Sequence, residues 1–425
     1  MPASFIPSRR AQWAAGQPIS ELMSRTLGNP QLISLAAGFV DTKNLPTEIA
    51  RQAIEAVFVD DRSAKSAMQY GTNLGEPRLR EQLLARVNAI DFANRLQPTI
   101  EQVLITSGSN QALHLIADTL LDEGDIVLCA SPTYLVMLGI IQNVGARAIS
   151  VATDRDGIVV EALEETLRSL DHQNELERVK AIYLVPYFDN PAGINMPADR
   201  RAAIVEMAKR WSHRQPLQII SDEAYRELRF DVDDIPSLCA YDEDGTTVLA
   251  TGTFSKSFSP GIRVGWSIVP QHLLKPLCGQ KGNVDFGSPN FDQQIVSKVL
   301  ELDLLDLHIN QIRQSYRARR DSMLQAAKEF LGPCDDVTWT QPEGGLYVWA
   351  TLPRTIDSGP SGVLFDAAIR QGMFYVPGEY FSAAEGNAVV KNTMRLSYGD
   401  ESEDRIRAGI ASLGRAINEV APHFT

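Results

Sequence analysis

From about residue 100 the chain alternates short apolar runs, rich in β-branched residues, with stretches whose apolar positions recur every three or four residues. The runs cover 103–106, 125–129, 147–151, 181–185, 217–221 and 248–250, with helical stretches between them at 110–121 and 197–211. That alternation predicts an α/β fold, a three-layer unit whose mainly parallel sheet is covered on both faces. Residues 264–270 read as one more apolar strand. Upstream, an arm to about residue 45 contains a short strand over 32–37 that ends at Gly38. A helix carrying Ile49, Ala53, Ile54 and Val57 on one face follows Pro46, and a glycine-punctuated loop from Tyr70 leads into the next helix. Past residue 285 the pattern changes to long amphipathic helices with strands over 345–350 and 393–397; the loop 357–362 joins a strand to a helix. The last helix lines up Ile406, Ile410, Leu413, Ile417 and Val420 as a packing stripe. The expected organisation is an arm over 1–45 that contributes to a smaller α+β domain, a large ligand-binding domain over 46–285, and the rest of the smaller domain over 286–425.

Composition narrows the function classes. At 425 residues the chain has room for two cores, and 44% hydrophobic with 22% charged residues is ordinary for a globular protein. The formal charge of -13 argues against non-specific nucleic-acid binding. Arg313, Arg317, Arg319 and Arg320 fall on a helical pattern and read as a solvated face. Four cysteines lie far apart without CxxC spacing and six histidines are scattered, so neither metal nor disulfide is expected. No signal core and no membrane-length apolar run is present, which makes the cytoplasm the expected location and a membrane partner unexpected.

The chemistry gathers where strands end, the place where open α/β sheets bind ligands. Lys256 lies in a loop between two strands, beside Thr253, Ser255 and Arg263. A lysine in a partly desolvated loop can lose its proton near neutral pH and form a Schiff base with a carbonyl, and Arg263 with the two hydroxyls suits a phosphate dianion. A surface turn with a solvated lysine explains the same stretch. Ser109 and Asn110 open a helix after a strand, which makes either an anion site or a plain N-cap. Tyr134, just past another strand, stacks on a planar ligand or merely packs. Asn190 lies in an Asn-Pro turn, where asparagine is common for turn reasons alone. Asp222 ends a strongly apolar strand and needs a partner, such as a protonated pyridine nitrogen; Tyr225, three residues on, would then reach an oxygen across the same ring. Neither a GxGxxG nor a P-loop signature is present. Each feature has a plain explanation alone, and the set does not.

With these residues quoted, the chain resembles the fold type I, class I/II aminotransferases that use pyridoxal 5'-phosphate, and within them the 2-aminoadipate and kynurenine aminotransferase branch. The resemblance runs from Ser34 to Tyr398 and is most specific from Thr253 to Lys256 and from Pro260 to Gly265. It implies that Lys256 is the Schiff-base residue, that Asp222 pairs with the ring nitrogen, that Asn190 and Tyr225 bond the ring oxygen and that Tyr134 stacks on the ring. Ser109, Asn110, Thr253, Ser255 and Arg263 correspond to the phosphate cup. Tyr70 matches a tyrosine lent across a homodimer interface to the partner's phosphate, Arg395 the clamp for the substrate α-carboxylate, with Gly38 and Asn190 beside it, and Arg25 an arginine that reads the substrate side chain. The family usually has glutamine where Asp189 stands and threonine or a similar residue at Ala192. The implied reaction is ping-pong transamination from an L-amino acid to a 2-oxo acid such as 2-oxoglutarate or pyruvate. A β-lyase with the same cofactor is the nearest rival. An aminotransferase-like effector domain of a transcription regulator is another, and for it the chain lacks a basic winged-helix segment ahead of residue 30.

Overall fold

The computed structural model describes residues 5–14, 32–36, 38–92 and 97–421. Its main sheet contains β1 (Val103–Thr106), β2 (Ile126–Ser131), β3 (Arg147–Asp154), β4 (Val179–Leu184), β5 (Gln218–Asp222), β6 (Val248–Thr253) and β7 (Gly265–Ile268). The order across the sheet is β3-β2-β4-β5-β6-β7-β1, with the short strand Glu385–Gly386 added beside β3. Every neighbouring pair on this path is parallel except the two that involve β7. β1 to β6 therefore all end at one edge.

Alternation along each strand fills two cores, because successive side chains of a strand point to opposite faces. Leu128, Ile182, Ile219 and Val248 face one apolar cluster with Leu163 and Ile204. Val127, Tyr183, Ile220 and Leu249 face the other, with Leu113 and Ile116 of α1 (Ser109–Leu120) and Met137 and Ile141 of α2 (Leu135–Asn143). A third cluster joins Val103 and Ile105 to helix Thr47–Val57 through Ala53 and Val57, and to helix Asn290–Glu301 through Ile295, Val296 and Val299. Among the described residues no helix is long and apolar enough to cross a membrane.

A second sheet of four antiparallel strands has the order β8-β9-β11-β10: β8 (Thr338–Trp339), β9 (Tyr347–Thr351), β10 (Val376–Pro377) and β11 (Thr393–Ser397). It packs in one cluster with α3 (Leu304–Phe330) and α4 (Glu403–Val420), where Ile406, Ile410, Leu413 and Ile417 are all buried. The short strand Ile33–Ser34 pairs with Met373–Phe374, which ties the early chain to this region.

The arginines of α3 depart from the solvated face expected of them. Arg319 is buried against Asp41 and donates to the Gly399 carbonyl at 2.9 Å, and Arg320, also buried, donates to the Pro342 carbonyl at 3.1 Å and to Asp231 at 3.1 Å. Arg313 donates to the Glu227 carbonyl at 2.7 Å, and only Arg317 keeps most of its side chain in water. Each buried guanidinium found carbonyls or a carboxylate from distant chain, and periodicity cannot see such partners.

Candidate active site

The ends of β1, β2, β4, β5 and β6 converge on one pocket of about 650 Å³. Ser109, Asn110, Tyr134, Asn190, Asp222, Tyr225, Thr253, Ser255, Lys256 and Arg263, all singled out from sequence, line it, together with Pro260 of the quoted stretch and with Val185 and Ala224, which were given no role. Parallel strands bring residues more than a hundred positions apart to a single rim.

At one end the first turn of α1 opens at Gly108, whose φ of 80° suits glycine, and no side chain caps it. A Cβ on Gly108 would come within 2.7 Å of the Arg263 guanidinium, and one on Gly265 within 2.5 Å of the Gly108 carbonyl carbon. The two backbones touch because Gly265 carries no side chain, and Arg263 packs over Gly108 because that residue has none either. Arg263 is exposed, holds a left-handed φ of 50°, and donates to the Pro260 carbonyl at 3.1 Å and, at 3.4 Å, to Ser255 and the Ser107 carbonyl. The Thr253 hydroxyl donates to Ser255 Oγ at 2.9 Å. This corner offers free N–H groups, hydroxyls and a cation with no carboxylate partner among the described residues, which is what an anion needs.

At the far end Asp222 is buried at 3% exposure, accepts from the Tyr183 hydroxyl at 3.0 Å and from the Ala224 N–H at 3.3 Å. Burial pushes its carboxyl up to about 6, against the pull of those bonds. Among the described residues no cation forms a salt bridge with it. Half-buried Lys256 donates to the Gly38 carbonyl at 2.8 Å and lies 6.0 Å from the Tyr225 ring centre. Desolvation lowers the pKa of its amine, and the positive charges of Arg395 and Arg263 push it the same way. A lysine so placed approaches neutrality sooner than a solvated one.

Arg395, in the middle of β11, is 1% exposed. It donates to Asn190 Oδ1 at 2.8 Å and to the Ala36 carbonyl at 2.7 Å, while its buried Nε has no partner. Asn190 in turn donates through Nδ2 to the Tyr225 hydroxyl at 3.4 Å, and the Tyr134 hydroxyl donates to Asn110 at 3.4 Å. Burial pushes both phenols well above the usual tyrosine value. Gly38 lies against Tyr347, where a Cβ would meet the phenol oxygen at 2.5 Å.

Tyr70 lies outside this pocket, 81% exposed with its ring edge-on to Phe286 at 5.8 Å. Arg25 lies outside the described residues. Two site residues escaped the sequence reading, Tyr183 under Asp222 and Tyr347 beside Tyr225. The available signal was a phenol inside an otherwise apolar strand, which needs a polar partner when buried.

Asp189 accepts the Ile194 N–H at 2.7 Å and closes the turn that presents Asn190, doing locally what the turn requires without a glutamine. Its carboxyl is pushed up to about 7 by burial.

A sheet-edge pocket with a lysine after β6, an acid ending β5 and an anion corner at α1 is the fold type I arrangement. Residues 30–412 match the model for aminotransferase class I and II, and the chain belongs to that family. It is 36% identical to aromatic-amino-acid aminotransferase 1 of Thermococcus litoralis over 97% of this chain and 94% of that one. It is 31% identical to the 2-aminoadipate transaminase of Thermus thermophilus over 94% and 93%. The crystal structure of Pyrococcus horikoshii kynurenine aminotransferase superposes with a TM-score of 0.88 at 36% identity, covering 98% of this chain and 97% of that one.

Proposed function

We propose that this aminotransferase uses pyridoxal 5'-phosphate held in the pocket at the sheet edge, and that it moves the amino group of an aromatic or 2-aminoadipate-like L-amino acid to a 2-oxo acid. The observation that carries the reading is the charge pattern of that one pocket. Asp222 is a buried acid with no cation, Arg263 and Arg395 are cations with no acid among the described residues, and Lys256 lies among them with its pKa depressed. A ring with a protonated nitrogen at one end and a phosphate at the other, met by a substrate carboxylate, supplies each missing partner.

Arg263, Ser255, Thr253, Ser109 and the N–H groups at the start of α1 would hold the phosphate; Asn110 accepts from the Tyr134 hydroxyl, and the Tyr134 ring would serve to stack on the cofactor. Asp222 keeps a proton on the ring nitrogen, and the Tyr183 hydroxyl holds Asp222 in place. Asn190 and Tyr225 bond the ring oxygen. When bound, pyridoxal phosphate supplies a carbonyl for amine exchange and an electron sink for the pair left on the α-carbon. Lys256 Nζ would accept the α-proton as general base and then, as the ammonium, serve as general acid. Arg395 fixes the α-carboxylate through a bidentate fork while Asn190 and the Gly38 backbone close the same corner. The donor leaves as a 2-oxo acid before the acceptor enters. The half-buried lysine with a depressed pKa is the decisive group: Lys256→Ala is expected to lower turnover at least about 10⁴-fold and to remove the near-visible absorbance of the holoenzyme. A variant that kept turning over would reject the assignment. Ammonia and pyruvate formed without any oxo acid would mean lyase chemistry instead.

The working unit is proposed to be a cytoplasmic homodimer. Exposed Phe58, Val59, Met68, Tyr70, Val284 and Phe286 support a second copy docking here, with Tyr70 reaching the phosphate of the partner's site. A monomer in analytical ultracentrifugation at micromolar concentration would remove that proposal, and cell fractionation checks the location. The proposed division is an arm to residue 45, a cofactor-binding domain over 46–285 with helix Asn290–Glu301 packed on it, and a smaller domain over the remainder of 286–425. Limited proteolysis of the holoenzyme tests it.

A further inference from the structure

We propose that Tyr347 is a positioning residue that couples the two halves of the active site, holding Arg395 with its ring and Tyr225 with its hydroxyl. The inference rests on the aminotransferase reading above and adds a residue to it.

Tyr347 opens β9 and is 1% exposed. Its strand lies beside β11, where Tyr347 pairs with Ser397 and Trp349 with Arg395. The Arg395 guanidinium carbon sits 4.3 Å from the Tyr347 ring centre and 5.1 Å from that of Phe381. A buried guanidinium without a carboxylate needs some negative field, and two ring faces supply it without neutralising the charge a carboxylate must find. Phe381 is held edge-on by Trp349 at 5.7 Å, so both rings are fixed.

The other end of the same side chain does different work. The Tyr347 hydroxyl lies 3.2 Å from that of Tyr225, whose ring it meets edge-on at 5.7 Å. Asn190 Nδ2 approaches the Tyr225 oxygen from another side at 3.4 Å. With Asn190 donating, Tyr225 has its own proton free for the pocket, and a donating Tyr347 strengthens that donor. Among the described residues the charged and titratable groups facing this pair are Lys256, Arg395, Tyr134 and Tyr398. Gly38 completes the seat, since a Cβ there would strike the Tyr347 hydroxyl.

Two substitutions separate the ring from the hydroxyl, each made in the holoenzyme with thermal melting as the folding control. Tyr347→Phe keeps the ring and should leave the KM of the amino donor within about twofold. It should raise the midpoint of the pH titration of the bound cofactor's absorbance by about half a pH unit, because the ring oxygen loses acidity in its donor. Tyr347→Leu removes the ring as well and should also raise KM, and the Kd of a simple carboxylate inhibitor, about fivefold. A folded Tyr347→Phe that titrates like the parent overturns the hydroxyl half of the proposal, and a folded Tyr347→Leu with unchanged carboxylate affinity overturns the ring half. If the parent itself fails to transaminate or to bind the cofactor, the functional reading fails and not the role of Tyr347.

Discussion

Arg263 stands on an exposed left-handed turn and leans on the carbonyls of Pro260 and Ser107, whereas Arg395 stands mid-strand at 1% exposure between two aromatic rings. On the proposed function each meets an anion, the first a phosphate and the second a carboxylate. Water solvates the first cation when its ligand is gone, so keeping it costs little, while the second remains desolvated whether or not a ligand is present. The difference fits the tenure of the two ligands proposed above. A phosphate that stays can be met by a cation half in water, because loops and N–H groups add to the grip; a carboxylate exchanged on every half-reaction needs one donor already stripped of water and aimed.

Substitutions should separate the two. Arg395→Leu is expected to lower kcat/KM for the amino donor about 10³-fold or more while changing cofactor affinity by no more than about threefold. Cofactor loss as large as the kinetic loss, measured by equilibrium dialysis, would break the comparison. Arg263→Ala should do the reverse, raising the cofactor Kd about 10- to 100-fold and leaving kcat close to that of the parent once cofactor saturates. A fall in kcat that excess cofactor cannot repair would mean that Arg263 also acts in the chemistry.

The smallest effect concerns Asp222, the anion of the set. Its folded carboxyl is raised from 3.8 to about 6, so the folded apoprotein holds that proton more tightly than the unfolded chain. Below about pH 4 both forms are protonated and nothing is lost; stability falls as pH rises from about 4 to about 6 and is then level. Asp222→Asn should therefore raise the melting temperature of the apoprotein by a few degrees at pH 7 and leave it unchanged near pH 4, while weakening cofactor retention. Equal melting curves at pH 7 would show that Asp222 bears no desolvation penalty in the empty pocket.

Much of the cofactor side was legible in the sequence because its residues follow strands, and strands announce themselves by local composition. Lys256, Asp222 and Ser109 are each read within ten residues of the run that positions them. The substrate side was legible only in part. Arg395 was found through resemblance, but its rings come from Tyr347 and Phe381, and the hydroxyl contact to Tyr225 spans 122 residues. Tyr183 lay hidden in an apolar strand whose pattern says only that it is buried, and its bond to Asp222 crosses 39 positions. Arg319 misled for the converse reason, since helical spacing reports a face and says nothing of Asp41 opposite it. Local pattern encodes elements, and contacts between elements need the fold.

The contact between Gly108 and Gly265 carries one last implication, for the placement of the site. A methyl added at Gly265 would lie 2.5 Å from the Gly108 carbonyl carbon and 2.6 Å from the Ser109 nitrogen, so substitution there is closed unless the first turn of α1 moves. Alanine at position 265 would displace the first turn of α1 and, on the proposed function, the phosphate grip with it. Gly265, an unremarkable residue to any measure of reactivity, thus sets where the first turn of α1 can lie and, on the proposed function, where a phosphate can be gripped.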